Sequence, residues 1–327
     1  MKKITLIFII ILLIACSEAP STQQHPTEQT SLFKILFCPQ DNCEREMIAY
    51  INQAKIVECA FFDLQLADLT NSIAKKEHKI IIHNTYEKHL PKNNIKNLNY
   101  KLSKGKKLMH NKFCILDNTV VITGSMNPTV RGNTKNNNNL LFIASPALAI
   151  NYQAEFDEMW EGQYSGGPPV PYPKIIINNN KIENYFCPED NCKTHILPLI
   201  NNATSIRFMT FSFTDKDIAN LLIRKRHTAN IKGIHESSRT NMKYEQYQNM
   251  QKLGMNIKGD NTSATFHHKV FILDNKIVIT GSYNPTSNGN TANDENVLII
   301  HNKEIANQYL KEFDRLWNDL ERLVHVG

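Results

Sequence analysis

HNKFCILDNTVVITGSMNPTVRGNT, residues 110–134, returns as HHKVFILDNKIVITGSYNPTSNGNT, residues 267–291. The two stretches agree at 17 of 25 positions, where unrelated segments would share roughly one or two, so the chain contains an internal duplication. The same offset of 157 residues carries EFDEMW at Glu155 onto EFDRLW at Glu312. Nearer the start of each copy, FCPQDNC at Phe37 matches FCPEDNC at Phe186 at an offset of 149, so the copies differ by one loop length. Units of about 140 residues are domain-sized rather than solenoid repeats, and two of them must pack as a pseudo-dimer.

Length and composition agree with two cores. The 327 residues are 41% hydrophobic, which excludes fibrous and disordered classes. The net charge of +6 is too mild to specify a polyanionic partner by itself. Lys101, Lys104, Lys106 and Lys107 gather just before His110, and a run of this kind leading into a phosphate site would guide phosphate.

The start, MKKITLIFIIILLIAC, has two lysines and then an apolar run from Ile4 to Ala15. The run is short for a membrane span and reads as a signal peptide, residues 1–15. LIAC resembles the lipobox of bacterial lipoproteins, which would make Cys16 the lipid-bearing residue, with residues 16–30 as a polar tether. The alternative is an uncleaved anchor. Either reading puts the chain outside the cytosol as an exported, membrane-anchored protein.

The second copy shows the element order most clearly. KIIINNN and KIENYFC read as strands, CKTHILPLINNA as a helix, SIRFMTFSF as a strand, DKDIANLLIRKRH as an amphipathic helix capped by Asp215, and IKGIHES as a strand. KVFILD and KIVITGS then form a hairpin through Asp274 and Asn275, followed by the strand ENVLII and a closing helix. The first copy repeats the order, and GGPPVPYP links the two. The expected fold is α/β: two tandem domains, residues 31–165 and 174–321, joined by a linker at 166–173, each a mixed sheet flanked by helices.

His-x-Lys-x4-Asp followed by Gly-Ser-x-Asn resembles the signature of the phospholipase D superfamily. It is met by His110, Lys112, Asp117, Ser125 and Asn127, and again by His267, Lys269, Asp274, Ser282 and Asn284. The likeness runs from Leu32 to Trp317, and each half is similar to one subunit of the bacterial nonspecific nucleases and of the mitochondrial cardiolipin hydrolase branch. In those relatives two chains form one site. Here one chain supplies both His-Lys pairs, so a monomer suffices.

The chemistry explains the residue types. A phosphodiester is a poor electrophile flanked by anionic oxygens, so in-line attack needs cations on the nonbridging oxygens and an acid on the leaving oxygen. The resemblance implies one histidine as covalent nucleophile and the other as general acid and then base. Lys112, Lys269, Asn127 and Asn284 would clamp the phosphate, with Ser125 and Ser282 as supporting donors and no metal or other cofactor. Asp117 and Asp274 sit beside Asn, where turn formation explains them. Glu295, at the start of the last strand, aligns with Asn138 in the first half; it is expected behind His267, raising its pKa and marking it as the acid, with His110 as nucleophile.

Seven cysteines remain to be placed. Beyond Cys16, the pairs Cys38–Cys43 and Cys187–Cys192 are local disulfides in an exported chain, with a shared four-thiolate zinc site as the alternative. Cys59 and Cys114, in apolar strands, read as reduced core residues. The resemblance to the nuclease branch implies as substrate a nucleic acid cleaved without sequence preference or, alternatively, a phospholipid such as phosphatidylcholine or cardiolipin; a membrane anchor would favour the second.

Overall fold

The computed structural model describes residues 25–92 and 95–324; Cys16 and the signal peptide, residues 1–15, lie outside them. In the first half, β1 (Thr27–Glu28), β2 (Phe33–Cys38), α1 (Cys43–Gln53), β3 (Ile56–Phe61), α2 (Ala67–Ile73) and β4 (Glu77–Ile82) come first. They are followed by β5 (Tyr100–Leu102), β6 (Lys112–Leu116), β7 (Val120–Gly124), α3 (Val130–Thr134), β8 (Asn138–Ala144) and α4 (Pro146–Glu161). The second half opens with β9 (Lys174–Ile177), β10 (Asn180–Cys187), α5 (Cys192–Asn202), β11 (Ser205–Thr210), α6 (Lys216–Lys225) and β12 (Asn230–His235). It ends with α7 (Tyr247–Lys252), β13 (Ile257–Gly259), β14 (Lys269–Leu273), β15 (Ile277–Gly281), α8 (Ser287–Thr291), β16 (Glu295–His301) and α9 (Lys303–Val324).

The halves form two mixed sheets of matching order, β2-β8-β7-β6-β3-β4-β5 and β10-β16-β15-β14-β11-β12-β13, the second extended by β9 and β1. β1 pairs with β9, Thr27 opposite Ile176. Residues 27–28, counted in the expected tether, thus form an edge of the second sheet.

The repeated hairpins place the motif. Asp117 and Asn118 turn with φ of 49° and 53°, Asp274 and Asn275 with 50° and 52°, the left-handed pair that suits a two-residue turn between twisted strands. The Asp117 carboxylate also accepts from the backbone N–H groups of Lys55 and Ile56 at 2.9 and 2.8 Å, and Asp274 does the same for Thr204 and Ser205 at 2.8 Å. Each motif aspartate thus ties its hairpin to the start of the neighbouring strand, away from the histidines. At the other end of the hairpins, a Cβ on Gly124 or Gly281 would lie 2.3 Å from the carbonyl oxygen of Asn139 or Asn296. Only glycine lets the motif backbone press against the strand that follows.

Three apolar cores hold the molecule. One lies under each sheet's outer helices, around Ile51, Leu69 and Phe142 in the first half and Ile196, Leu222 and Phe271 in the second. The third is shared: Tyr152 and Phe156 of α4 and Tyr309 and Phe313 of α9 pack with Phe113, Ile143, Val270 and Ile300 from both sheets. The shared core makes the halves one body. Cys38–Cys43 and Cys187–Cys192 are disulfides at the foot of α1 and α5. Cys59 and Cys114, expected reduced, are also bridged. They stand directly opposite each other on antiparallel β3 and β6 with Cα atoms 4.1 Å apart, a proximity that an apolar pattern does not disclose. The second half fills the same place with Phe208 opposite Phe271.

Candidate active site

Where the halves meet, the chain immediately before each motif strand bridges to the chain immediately before the last strand of the other half. Met109 pairs with Asp294 and Asn137 with Phe266; the His110 N–H donates to the Asp294 carbonyl at 3.0 Å and the His267 N–H to the Asn137 carbonyl at 2.9 Å. The two contacts exchange under the repeat offset, as an isologous interface requires. They bring His110 and His267 to the floor of one cleft of about 1090 Å³.

The crossover decides what stands behind each histidine. Glu295 Oε2 lies 2.7 Å from His110 Nδ1, while His267 Nδ1 meets the Asn138 carboxamide oxygen at 3.0 Å and the Ser125 carbonyl at 2.9 Å. The expected placement of Glu295 behind His267 is therefore corrected. Position 295 aligns with position 138, but each follows a backbone bridge to the opposite half, so each side chain serves the opposite half's histidine. In both rings Nε2 is the nitrogen left for chemistry.

Ser125 and Ser282, expected as donors to phosphate, are fully buried and have internal partners. Ser125 Oγ donates to Asn139 Oδ1 at 2.9 Å, and Ser282 Oγ donates to Glu295 Oε2 at 2.8 Å. Their work is to hold the groups behind the site. Asn284 lines the cleft, and the carboxamide oxygens of Asn127 and Asn284 have no hydrogen-bond partner among the described residues.

Lys112 and Lys269 are buried, each donating to the carbonyl of its own motif histidine, Lys269 at 2.8 Å. Each also lies over an aromatic ring, Lys112 4.9 Å from Phe62 and Lys269 5.1 Å from Phe211. The same rings support the histidines, with centroids 4.8 Å apart for Phe62 and His110 and 5.0 Å for Phe211 and His267. These phenylalanines escaped the sequence reading, although both follow the third strand of their half at matched positions. His83 stacks on Phe62 at 5.1 Å, and Arg239 stacks on Phe211 at 4.5 Å.

Burial, followed by the nearby lysines, holds both motif histidines well below the usual imidazole range. Burial likewise lowers Lys112 to about 7, opposed by Glu295 and Asp63, and takes Lys269 well below its ordinary value. It pushes Glu295 up to about 8 against the pull of Lys112 and the Ser282 hydroxyl. Cations crowded into a dry cleft are what an anionic substrate relieves.

The lysine run before His110 does not line the cleft. Lys101 instead donates to the Trp160 carbonyl at 2.9 Å and covers its ring at 4.3 Å. The cleft's peripheral cations come from the second half, as Lys193, Lys216, Arg239 and Lys243.

Residues 45–160 and 196–317 both match the family described as cardiolipin synthase, PLD-like domain. The chain belongs to the phospholipase D superfamily. It is a hydrolase acting on phosphodiester bonds. A phospholipase D from Rickettsia bellii is 29% identical over 53% of this chain and 90% of its own length. A mitochondrial cardiolipin hydrolase from Xenopus laevis is 28% identical over 47% of this chain and 75% of its own. Each relative thus corresponds to about half of this chain. The solved phosphatidylserine synthase of Haemophilus influenzae covers 88% of the chain and 86% of itself with a TM-score of 0.64 at 11% identity, a likeness of fold across both halves. Among the described residues no helix is long and apolar enough to cross a membrane.

Proposed function

We propose that the protein is a phosphodiesterase that works through a phosphohistidine on His110 and cleaves nucleic acid without sequence preference. His110 Nε2 attacks phosphorus, the P–O bond to the leaving oxygen breaks, and His267 gives its Nε2 proton to that oxygen. Water then attacks the phosphohistidine, passes its proton to His267, and releases the phosphomonoester as the P–N bond breaks. Forming the N–P bond makes the ring of His110 cationic, and the carboxylate behind it supports that charge. His267 has only neutral oxygens behind it, and an imidazolium so placed is the stronger acid. The roles proposed here rest on a carboxylate behind His110, the reverse of the sequence expectation, in which a carboxylate behind His267 marked it as the acid.

Lys112, Lys269, Asn127 and Asn284 surround the phosphate. The two ammonium groups would repel a divalent ion, so the reading is metal-independent. The observation that carries nucleic acid over lipid is the cleft wall: Lys193, Lys216, Arg239 and Lys243 outnumber Asp215 and Asp217 along it, with Gln246 and Asn288 between them, a net cationic surface suited to a sugar-phosphate chain. Phospholipid is the second reading, favoured by the names of the relatives and by the lipobox-like LIAC. Single-stranded DNA, RNA, and phosphatidylcholine and cardiolipin vesicles, assayed together in excess EDTA, test both. Vesicle hydrolysis without nucleic-acid cleavage would replace the first reading by the second. Activity lost in EDTA and restored by magnesium would sink the phosphohistidine route.

An exported lipoprotein attached through Cys16, and active as a monomer, completes the proposal. The three disulfides suit an oxidising compartment. Cys16→Ala should abolish lipid labelling and release the protein from membranes; unchanged fractionation would favour an uncleaved anchor.

A further inference from the structure

The cleft is lopsided. Among the described residues, the first half lends it Phe62, Tyr86, Leu108 and His110, and the rest of its lining comes from the second half. The difference is sharpest in the segment after the fourth strand of each half's repeat. In the first half, Tyr86 turns inward onto Phe62, with ring centroids 4.7 Å apart, and onto His89 at 5.1 Å. In the second half, the corresponding loop turns outward, leaving Tyr244 67% exposed at the cleft. The Lys243 ammonium lies over one face of the ring, 5.3 Å from its centre.

The loop is nonetheless fixed. The buried carboxylate of Glu245 accepts from Ser212 Oγ at 2.7 Å, from the Phe213 N–H at 2.6 Å and from Arg239 Nε at 3.2 Å, which pins the chain directly after Tyr244. Of the other cations on this wall, Lys193 pairs with Asp217 at 2.6 Å and Asp215 at 3.5 Å and Arg239 pairs with Glu245, while Lys216 has no ion pair among the described residues but has no aromatic partner either. Lys243 has no carboxylate at ion-pair distance among the described residues. An exposed aromatic ring on an anchored loop, with an ammonium group over one face and no carboxylate paired to that ammonium, offers its other face for stacking a planar base and a charge for a neighbouring phosphate.

In-line displacement gives this wall a direction. With His110 attacking, the leaving oxygen departs on the far side of phosphorus, towards His267 and the second half. We propose that Lys243 and Tyr244 form a subsite for the leaving strand, binding a nucleobase and the next phosphate on the leaving-oxygen side of the scissile bond. The portion kept on His110 faces the shorter wall of Phe62, Tyr86 and Leu108. This inference rests on the nucleic-acid reading and on His110 as nucleophile.

The test compares the wild-type protein with Lys243→Ala and Tyr244→Ala, whose side chains project from the loop and carry no part of the core. The substrates are a p-nitrophenyl diester of thymidine monophosphate, whose leaving group is a bare nitrophenolate, and a single-stranded oligonucleotide. Tyr244→Ala should lower the ratio of oligonucleotide to nitrophenyl kcat/KM by about 5- to 100-fold, the range expected for losing one stacked base. Lys243→Ala should make the slope of log(kcat/KM) against log salt shallower by about 0.7, the loss of one phosphate contact on a single strand. Oligonucleotides shortened on one side of a unique cleavable linkage locate the subsite. Shortening on the leaving-oxygen side should cost the wild type rate and cost the variants little, while shortening on the other side should affect all three alike. Equal ratios in variants and wild type, or a defect confined to the retained side, would overturn the subsite while leaving nuclease activity in place. A wild-type protein that cleaves the nitrophenyl diester but no oligonucleotide would instead overturn the nucleic-acid reading itself.

Discussion

Replacing Glu295 by Gln keeps the shape behind His110 and removes the charge. The side chain is wholly buried, its Oε2 2.7 Å from His110 Nδ1 and 2.8 Å from Ser282 Oγ, so an amide oxygen can retain both contacts. In the ground state the pair shares protons as a unit. In the transition state the ring becomes cationic, and the lost term is that of a carboxylate facing a positive ring. A hydrogen bond to a charged partner exceeds a neutral one by about 1–1.5 kcal/mol. A full Coulomb interaction at about 4 Å and an effective dielectric of 20 is worth about 4 kcal/mol. The phosphorylation rate should thus fall between about 10-fold and 1000-fold. Rapid-quench measurement of phosphohistidine formation, with a nitrophenyl diester whose leaving group needs little acid help, reads this step alone.

Stability should move the other way. Because burial raises the folded pKa of Glu295 to about 8, its ionised form weakens the fold progressively as pH rises from the unfolded value near 4.5 towards 8. The Gln variant should therefore melt at or above the wild-type temperature at pH 8 while losing activity. A variant that forms phosphohistidine within twofold of the wild-type rate, or that carries phosphate on His267, would refute the argument.

The pH profile follows from the lysines: with Lys112 lowered to about 7 by burial, its charge is present below that pH and lost above it, so kcat/KM should decline through the neutral range on the alkaline side. His267→Asn should slow turnover on natural diesters yet leave phosphate trapped on the peptide containing His110, as peptide mapping after acid quench would reveal; trapping on the His267 peptide of the wild type would reverse the assignment. Full reduction should add six hydrogens to the intact mass, two for each bridge, and a gain of four would mean that Cys59 and Cys114 are free.

The duplication, the mixed sheets and the two His-Lys pairs were legible because they are written locally, in strand periodicity and fixed spacing. What the sequence withheld depends on where distant segments meet. Alignment equates Glu295 with Asn138 but cannot say that each reaches across the interface, since that follows from the bridges of Met109 to Asp294 and Asn137 to Phe266. Phe211 lay inside SIRFMTFSF, a run read simply as a strand, and nothing local marked it or Phe62 as a neighbour of the histidines. Lys101 failed as a phosphate guide because Trp160, far along the chain, offered it a ring and a carbonyl. The serines were assigned to substrate by analogy with their motif, while their hydroxyls already had partners in the strand that follows it, Asn139 and Glu295.

The covalent joining of the two copies has a genetic corollary. A pocket assembled from two identical subunits cannot alter the residue behind one histidine without altering the other, because a single codon encodes both. Attacker and proton donor must then share one compromise environment. Once both copies reside in one reading frame, mutation at codon 138 and mutation at codon 295 are separate events, and selection can tune the two imidazoles independently. The amide at one position and the carboxylate at the other are a difference that only a fused gene can inherit.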